Sequence, residues 1–418
     1  MAKPSISVII SAKNEAAYIE SCLKSLLAQK TRKNFEIILV DNNSSDNTYR
    51  LAQKIAKEDP RVRVFREKKA GMGCPYGRNR GAKESHAEVL LFTDADCTFT
   101  PDWVEKMAAP LLDWKKQRVP LGAVGGQTLS ELPKGRKMAL AERYADVLFH
   151  EWEKDSFSEF PGFLPWAPTC NLGVRRELFE ALGCFDDNLV AGYDPDFCWR
   201  LVMSGFTIAY IPDAVLFHKR RTSVKKFLGQ MNTYSFYNSK LLAHYEKLFA
   251  YNPFLTRKER LENLVLRAKK SIEQTKTWED LRHRGLDILV QAQAAKAALR
   301  ASYKKIKIEK KLDRSRLGKS TAATDLLPKS YLSLQKKGWC YWKSPADISS
   351  DGELILFHPK KKEWLRLNET AWRVWEVKSN GGDSEAAVRA LGQEDDNEEA
   401  LSDIDALSWN LHQMGLLR

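Results

Sequence analysis

Val89-Leu90-Leu91-Phe92-Thr93-Asp94-Ala95-Asp96 runs an apolar strand straight into an Asp-x-Asp pair. Side chains alternate along a strand, so Asp94 and Asp96 are expected on one side of a sheet edge. Two hard oxygen ligands side by side suit Mg²⁺ or Mn²⁺, and such an ion suits a diphosphate. Acidic residues also end strands for plain solubility, so the pair takes its meaning from what flanks it. Further short apolar runs lie at 6–10, 35–40 and 62–65. Between them, 16–27 has helical spacing through Ile19, Leu23 and Leu26, and 46–56 opens like a helix. Strand–helix alternation predicts an α/β domain, with a mostly parallel sheet and helices on both faces. Ligands of such sheets sit beyond the carboxyl ends of the strands, where Asn14, Asp41 and Asp94 fall.

A chain of 418 residues is too long for one core. It has no run of 18 apolar residues, so no transmembrane segment is expected. The start, Met1-Ala2-Lys3-Pro4, leads into a strand without a signal-peptide pattern. Seven cysteines without a Cys-x-x-Cys pair read as reduced thiols, which makes the expected location cytoplasmic. The net charge of +13 is unevenly spread. Residues 1–218 hold 29 basic and 29 acidic side chains, 219–330 hold 27 and 10, and 331–418 hold 11 and 15. The basic excess therefore belongs to the middle, where 257–316 reads as long helices.

Polar residues follow the first two strands, as Ala12-Lys13-Asn14-Glu15 and Asp41-Asn42-Asn43-Ser44. A carboxylate after strand two can accept a hydrogen bond from a base or a ribose. The same residues also cap helices, and each reading is as good as the other. Gly71-Met72-Gly73 allows close backbone approach, and Arg78-Asn79-Arg80 offers guanidinium forks for phosphate. Downstream stand Cys170-Asn171-Leu172-Gly173-Val174-Arg175-Arg176, Gly183-Cys184-Phe185-Asp186, Gly192-Tyr193-Asp194-Pro195-Asp196-Phe197-Cys198-Trp199-Arg200-Leu201 and Ile211-Pro212-Asp213-Ala214-Val215-Leu216-Phe217-His218. In this order the segments resemble glycosyltransferase family 2 over roughly residues 5–230.

That resemblance implies the type A nucleotide-sugar-binding fold and an inverting, in-line displacement. It implies that Ala12, Asn14, Glu15, Asp41, Arg78, Asp94 and Ala95 hold the donor, a UDP-linked sugar being the usual one. It implies that Asp94, Asp96 and His218 hold Mn²⁺ or Mg²⁺. The metal offsets charge on the departing nucleoside diphosphate, and a base on the far side of the sugar activates the acceptor. The base falls on Asp194 or Asp196. Tyr193 stands where the family commonly has an acidic residue. Asp196 also has a structural reading, as the partner of Arg200 four residues on. For His218 a satisfied core histidine is nearly as good a reading as a ligand.

The last part changes character, with short strands at 338–342, 353–357 and 364–367 and helices at 369–377, 384–391 and 397–414. Leu367-Asn368-Glu369-Thr370-Ala371, the pair Gly381-Gly382 and the ending Gly415-Leu416-Leu417 resemble a PqqD-like domain, or peptide recognition element. The resemblance implies a small winged-helix (α+β) fold that binds the leader of a ribosomally made precursor peptide as an added strand. Trp364, Leu365, Leu367, Trp409 and Leu411 are candidate wall residues, and core packing is the plainer reading for each. A winged helix also invites a nucleic-acid reading, but a net acidic module opposes binding to phosphates.

The expected organisation is a transferase domain at 1–230, a basic helical bridge at 231–327 and the peptide-binding domain at 328–418. The expected activity is sugar transfer to a Ser, Thr, Tyr or Cys side chain of a precursor peptide. Two alternatives remain at this stage. One is a transferase for a cell-surface glycan or lipid-linked sugar, whose basic helices meet a membrane surface. The other is a non-catalytic peptide-binding protein.

Overall fold

The computed structural model describes residues 3–67, 73–116, 120–131, 139–143, 145, 165–204, 206–220, 222–249, 340–344, 353–358, 363–391, 398–413 and 416–417, with isolated helical positions between 286 and 300. Strands β1 (Ile6–Ala12), β2 (Phe35–Asn42), β3 (Val62–Glu67) and β4 (Val89–Asp94) alternate with helices α1 (Ile19–Leu27), α2 (Thr48–Glu58) and α3 (Cys74–Glu84). β5 (Cys97–Phe99), α4 (Trp103–Leu112), β6 (Leu121–Ser130), β7 (Leu172–Arg175), α5 (Arg176–Ala181), α6 (Tyr193–Met203), β8 (Thr207–His218) and α7 (Val224–Phe249) follow. The eight strands form one sheet in the order β3-β2-β1-β4-β7-β6-β8-β5.

The strands are apolar throughout because both sheet faces are covered. All of β2 is buried. Ile6, Val8 and Ile10 point to one face, where α1, α2 and α4 pack through Ile19, Leu23, Ala52, Trp103 and Met107. Ile9, Leu90 and Phe92 point to the other and meet α3, α5 and α6. There Phe92 lies 5.1 Å from Phe179 and 5.0 Å from Phe185, ring centre to ring centre. Each such ring, fully buried, contributes about 1.5–3 kcal/mol.

The sheet is more mixed than strand–helix alternation predicts. β1–β2, β2–β3, β1–β4 and β6–β8 are parallel, whereas β4–β7, β6–β7 and β5–β8 are antiparallel. β5 starts only a turn beyond β4, and a parallel neighbour needs a crossover of roughly a dozen residues. The chain therefore leaves β4 at Asp94 and closes against β8, which brings His218 opposite Cys97.

The β6–β8 pairing shifts register after Gly126. A Cβ at Gly126 would sit against the Ala214 carbonyl oxygen and the Asn171 side-chain amide. Gly126→Ala should therefore destabilise the domain by about 1–3 kcal/mol, read as a lower midpoint in denaturant unfolding.

Helix α7 runs past residue 230, the expected end of the transferase part. Leu241 joins the core beneath α6. Phe227 and Met231 pack with Ala141, Ala145, Leu286 and Val290. Within the basic bridge, Leu286 and Val290 are buried and Leu289 is 49% exposed, while Leu261, Leu264 and Val265 lie outside the described residues. No helix among the described residues is long and apolar enough to cross a membrane.

The tail contains β9 (Cys340–Ser344), β10 (Glu353–His358), β11 (Glu363–Leu367), α8 (Glu369–Ser379), α9 (Ser384–Ala390) and α10 (Glu398–Gln413). Its antiparallel sheet has the order β11-β10-β9. Asn368 caps α8 by accepting the Ala371 N–H at 2.9 Å, and Asp383 caps α9 by accepting that of Ala386 at 2.7 Å. Trp372, Trp375, Val388, Ile404 and Leu411 form a separate core. The Trp375 indole donates to the Leu416 carbonyl at 3.2 Å and ties down the C-terminal turn.

Candidate active site

The carboxyl ends of β1, β2 and β4 meet at one rim. The loops after β1 and β2 are stapled together there. Asn14 has a left-handed backbone, with φ 59°. Its side-chain oxygen accepts the Ser45 N–H at 2.8 Å, and its own N–H donates to Ser44 Oγ at 2.9 Å. Glu15 N–H donates to Thr48 Oγ1 at 2.8 Å. Ala12 is buried at the end of β1, so it can offer only backbone to a ligand.

Asp41 is fully buried. Its Oδ2 accepts the Ser44 N–H at 3.3 Å and faces Arg66 Nε at 3.4 Å, while Oδ1 has no partner. A buried carboxylate oxygen without a donor is costly, so this rim favours a ligand that brings an N–H or O–H.

Asp94 ends β4, whereas Ala95 and Asp96 form the turn into β5. Strand alternation is thus not what aligns the two carboxylates; the turn does it. His218 closes the group from β8, its Nε2 3.6 Å from Asp94 Oδ2 and 3.6 Å from Asp96 Oδ1. His218 Nδ1 lies 2.8 Å from the Lys219 carbonyl oxygen. A carbonyl only accepts, so Nδ1 carries a proton, and Nε2 is the ring atom that faces the two carboxylates. Burial disfavours the charged imidazole, but Asp96 and Asp94 outweigh it and raise the pKa of His218. Two carboxylates and one imidazole are a fitting donor set for Mn²⁺, and an acceptable one for Mg²⁺. Cys97 Sγ lies in the same group, within 4.8 Å of the Asp96 and His218 ligand atoms. Burial, then Asp96, pushes its thiol well up, so it stays protonated.

Arg78 braces the site from below. It is 2% exposed, donates through Nη2 to Asp94 Oδ1, and donates through Nη1 to the Tyr193 hydroxyl at 2.5 Å. Both outer nitrogens are therefore engaged by protein. Ala95 is buried in the turn.

Asp194 and Asp196 separate clearly. Two residues along a helix are about 200° apart. Asp196 is fully buried, with Oδ2 2.8 Å from Arg200 Nη2 and 3.0 Å from Nε. Arg200 in turn donates to the Leu182 and Cys184 carbonyls, so Asp196 anchors α6 to that loop. Its carboxylate is committed to the ion pair with Arg200. Asp194 is half-buried in the first turn of α6, and its Oδ2 accepts the Thr169 N–H at 3.3 Å. Burial pushes its carboxyl up to about 6, against the opposing pull of the Thr169 N–H and Arg78. Gly192, with φ +77°, sets the entry into this helix.

Three contributors carry no signal as site residues in the sequence reading. Tyr193 registers there only as a departure, yet its buried hydroxyl joins Arg78 to Thr169. Thr169 arrives from a loop far along the chain. Tyr234 on α7 accepts a hydrogen bond from Gln230 at 2.9 Å. Burial, with Asp194 and Asp94 as further causes, raises its phenol well above the usual range.

The tail candidates also separate. Leu367 and Leu411 belong to the core, because α8 and α10 close over that face of the sheet. Trp409 is 64% exposed on α10. The side chains of Trp364 and Leu365 lie outside the described residues.

The α/β sheet, the acidic pair, the closing histidine and the separate half-buried aspartate are the arrangement that the resemblance to glycosyltransferases leads one to expect. Residues 7–183 match the model of glycosyl transferase family 2, and residues 353–417 match that of coenzyme PQQ synthesis protein D (PqqD). The two matches lie in separate parts of the chain, the transferase match at its N-terminal side and the PqqD match at its C-terminal side. The chain is 29% identical over 219 residues to glycosyltransferase AglE of Haloferax volcanii, covering 52% of this chain and 68% of that one. It is 36% identical over 107 residues to putative glycosyltransferase EpsH of Bacillus subtilis, covering 26% and 30%. The chain thus spans under a third of the second relative. Among solved structures, the mannosyltransferase PcManGT from Pyrobaculum calidifontis, in complex with GDP-Man and Mn²⁺, aligns with TM-score 0.44 and 18% identity over 80% of this chain and 84% of that one.

Proposed function

We propose that the protein transfers a sugar from a nucleoside diphosphate sugar to a side chain of a ribosomally made precursor peptide whose leader docks on the PqqD domain. The observation that carries the transfer reading is the convergence of Asp94, Asp96 and His218 at one end of a braced chain, with Asp194 at the other. A bound divalent cation would supply charge neutralisation for the departing diphosphate. The unpartnered Asp41 oxygen supports recognition of a base or ribose that donates a hydrogen bond. Asp194 takes the proton from the acceptor hydroxyl or thiol as that atom bonds to the anomeric carbon. The bond from that carbon to the phosphate oxygen breaks, and its electron pair leaves with the nucleoside diphosphate. A carboxyl poised near 6 is mostly ionised at neutral pH and still basic enough for this transfer.

The peptide half of the reading is supported by the PqqD match and by the sheet order, in which β11 is an edge strand. Such an edge offers backbone groups to an extended peptide, and binding there raises the local concentration of the acceptor. Trp409 is an exposed aromatic on α10 of that domain. Trp409→Ala should weaken leader-peptide binding about tenfold or more, while donor hydrolysis without peptide keeps its wild-type rate. The deciding experiment is mass spectrometry of a candidate precursor peptide incubated with the protein, Mn²⁺ and mixed nucleotide sugars. A hexose-sized mass gain that needs the leader supports the proposal. Transfer to a lipid-linked or glycan acceptor, with the peptide untouched, contradicts it.

A further inference from the structure

Resting on the transfer reading above, we propose that Tyr193 is a positioning residue that ties the metal-side carboxylate Asp94 to the base Asp194 through Arg78 and Thr169. Arg78 can only donate, so the Tyr193 oxygen accepts from Nη1 at 2.5 Å while Nη2 holds Asp94. The Tyr193 hydroxyl also shares a hydrogen bond with Thr169 Oγ1, 3.2 Å away, which either oxygen can donate. The Thr169 backbone N–H completes the chain to Asp194 Oδ2 at 3.3 Å. Every junction is enclosed: Arg78 is 2% exposed, Thr169 4% and Tyr193 8%. The Arg78 guanidinium also lies 5.4 Å from the centre of the Tyr193 ring, which limits how either can turn.

The residue type matters. A carboxylate at 193 would give Arg78 two anions to satisfy and would place a second negative charge beside Asp194. The neutral phenol leaves the positive charge of Arg78 to Asp94, yet still fixes Thr169 and hence the orientation of the base. The link therefore acts chiefly on the geometry of the base at the reacting bond, where small misplacements are expensive.

The test measures nucleoside diphosphate release from UDP-glucose, UDP-N-acetylglucosamine and GDP-mannose with Mn²⁺, alongside calorimetric binding of UDP and GDP with Mn²⁺. Tyr193→Phe should lower kcat between about tenfold and a hundredfold. KM and nucleotide affinity should stay within about twofold, since Arg78 keeps its ion pair with Asp94 when the phenol is lost and the loss falls mainly on the orientation of Thr169 and the base. Thr169→Val should reproduce the kcat loss and Thr169→Ser should restore it, so the inference stays testable if Tyr193→Phe does not fold. Wild-type kcat in both Tyr193→Phe and Thr169→Val overturns it. A kcat loss matched by an equal loss of nucleotide affinity overturns it too, because that pattern marks general damage. Asp194→Asn separates the two levels: if it turns over at the wild-type rate, the transfer reading itself fails. If Asp194→Asn is dead while Tyr193→Phe and Thr169→Val are normal, only the link fails.

Discussion

Replacing Asp96 by alanine is expected to lower sugar transfer by about a thousandfold or more, the effect of losing several kcal/mol of charge stabilisation at the departing diphosphate. Asp96 sits in the turn after β4, outside the strands and helices, with its Oδ1 facing His218 Nε2. The variant should therefore fold normally. Its melting temperature should stay level or rise slightly, because Asp94 and Asp96 repel each other without a cation. Ion dependence should vanish with the activity: titrating Mn²⁺ into Asp96→Ala should give no calorimetric heat, where the wild type gives a saturating isotherm. Transfer at the wild-type rate by the purified variant would remove Asp96 from the chemistry.

Asp194→Asn is expected to cost a factor of about 10²–10⁴, the usual contribution of a positioned general base. The pH profile carries the sign. The base works ionised, and burial lifts its carboxyl to about 6. Activity should rise as pH increases through about 6 and level off above it, and Asp194→Asn should lose this limb. Stability should move the other way. A folded-state value above the unfolded one means that the native protein holds the proton more tightly. Ionised Asp194 then opposes folding above about 6, and this penalty disappears as pH falls to the unfolded value of 3.8. At neutral pH the asparagine variant should be more stable, by on the order of 2 kcal/mol. A thermal scan of both proteins at pH 8 checks this; a less stable variant would show that Asp194 is held by interactions other than those described.

The framework of the site is legible in the sequence because it rests on local patterns. Ile6–Ala12, Phe35–Asn42 and Val89–Asp94 are short apolar runs ending in polar residues, and a sheet covered on both faces needs such runs. Asp94, Asp96 and His218 follow from the segments that resemble the family, and the structure brings their side chains together. The direction of β5 is not legible, because a turn at Ala95-Asp96 and a continuing strand share one sequence pattern. The base assignment turns on Arg200. Its spacing from Asp196 is visible in the sequence, but the burial of the pair is a property of the packed helix. Arg78 reads as a phosphate fork, and only the fold shows it beneath Asp94. Thr169 is the least legible of all. It lies 25 residues before Asp194 and enters through its backbone N–H, which leaves no trace in residue type. In the tail, Asn368 announces its helix, while Leu367 and Leu411 turn inward once α8 and α10 pack together.

The most direct measurement is donor turnover by the wild-type protein, first with all divalent ions chelated and then with Mn²⁺ restored in steps. The account predicts no release of nucleoside diphosphate in chelator and a saturable recovery as the ion returns. Undiminished release with chelator in excess would contradict it.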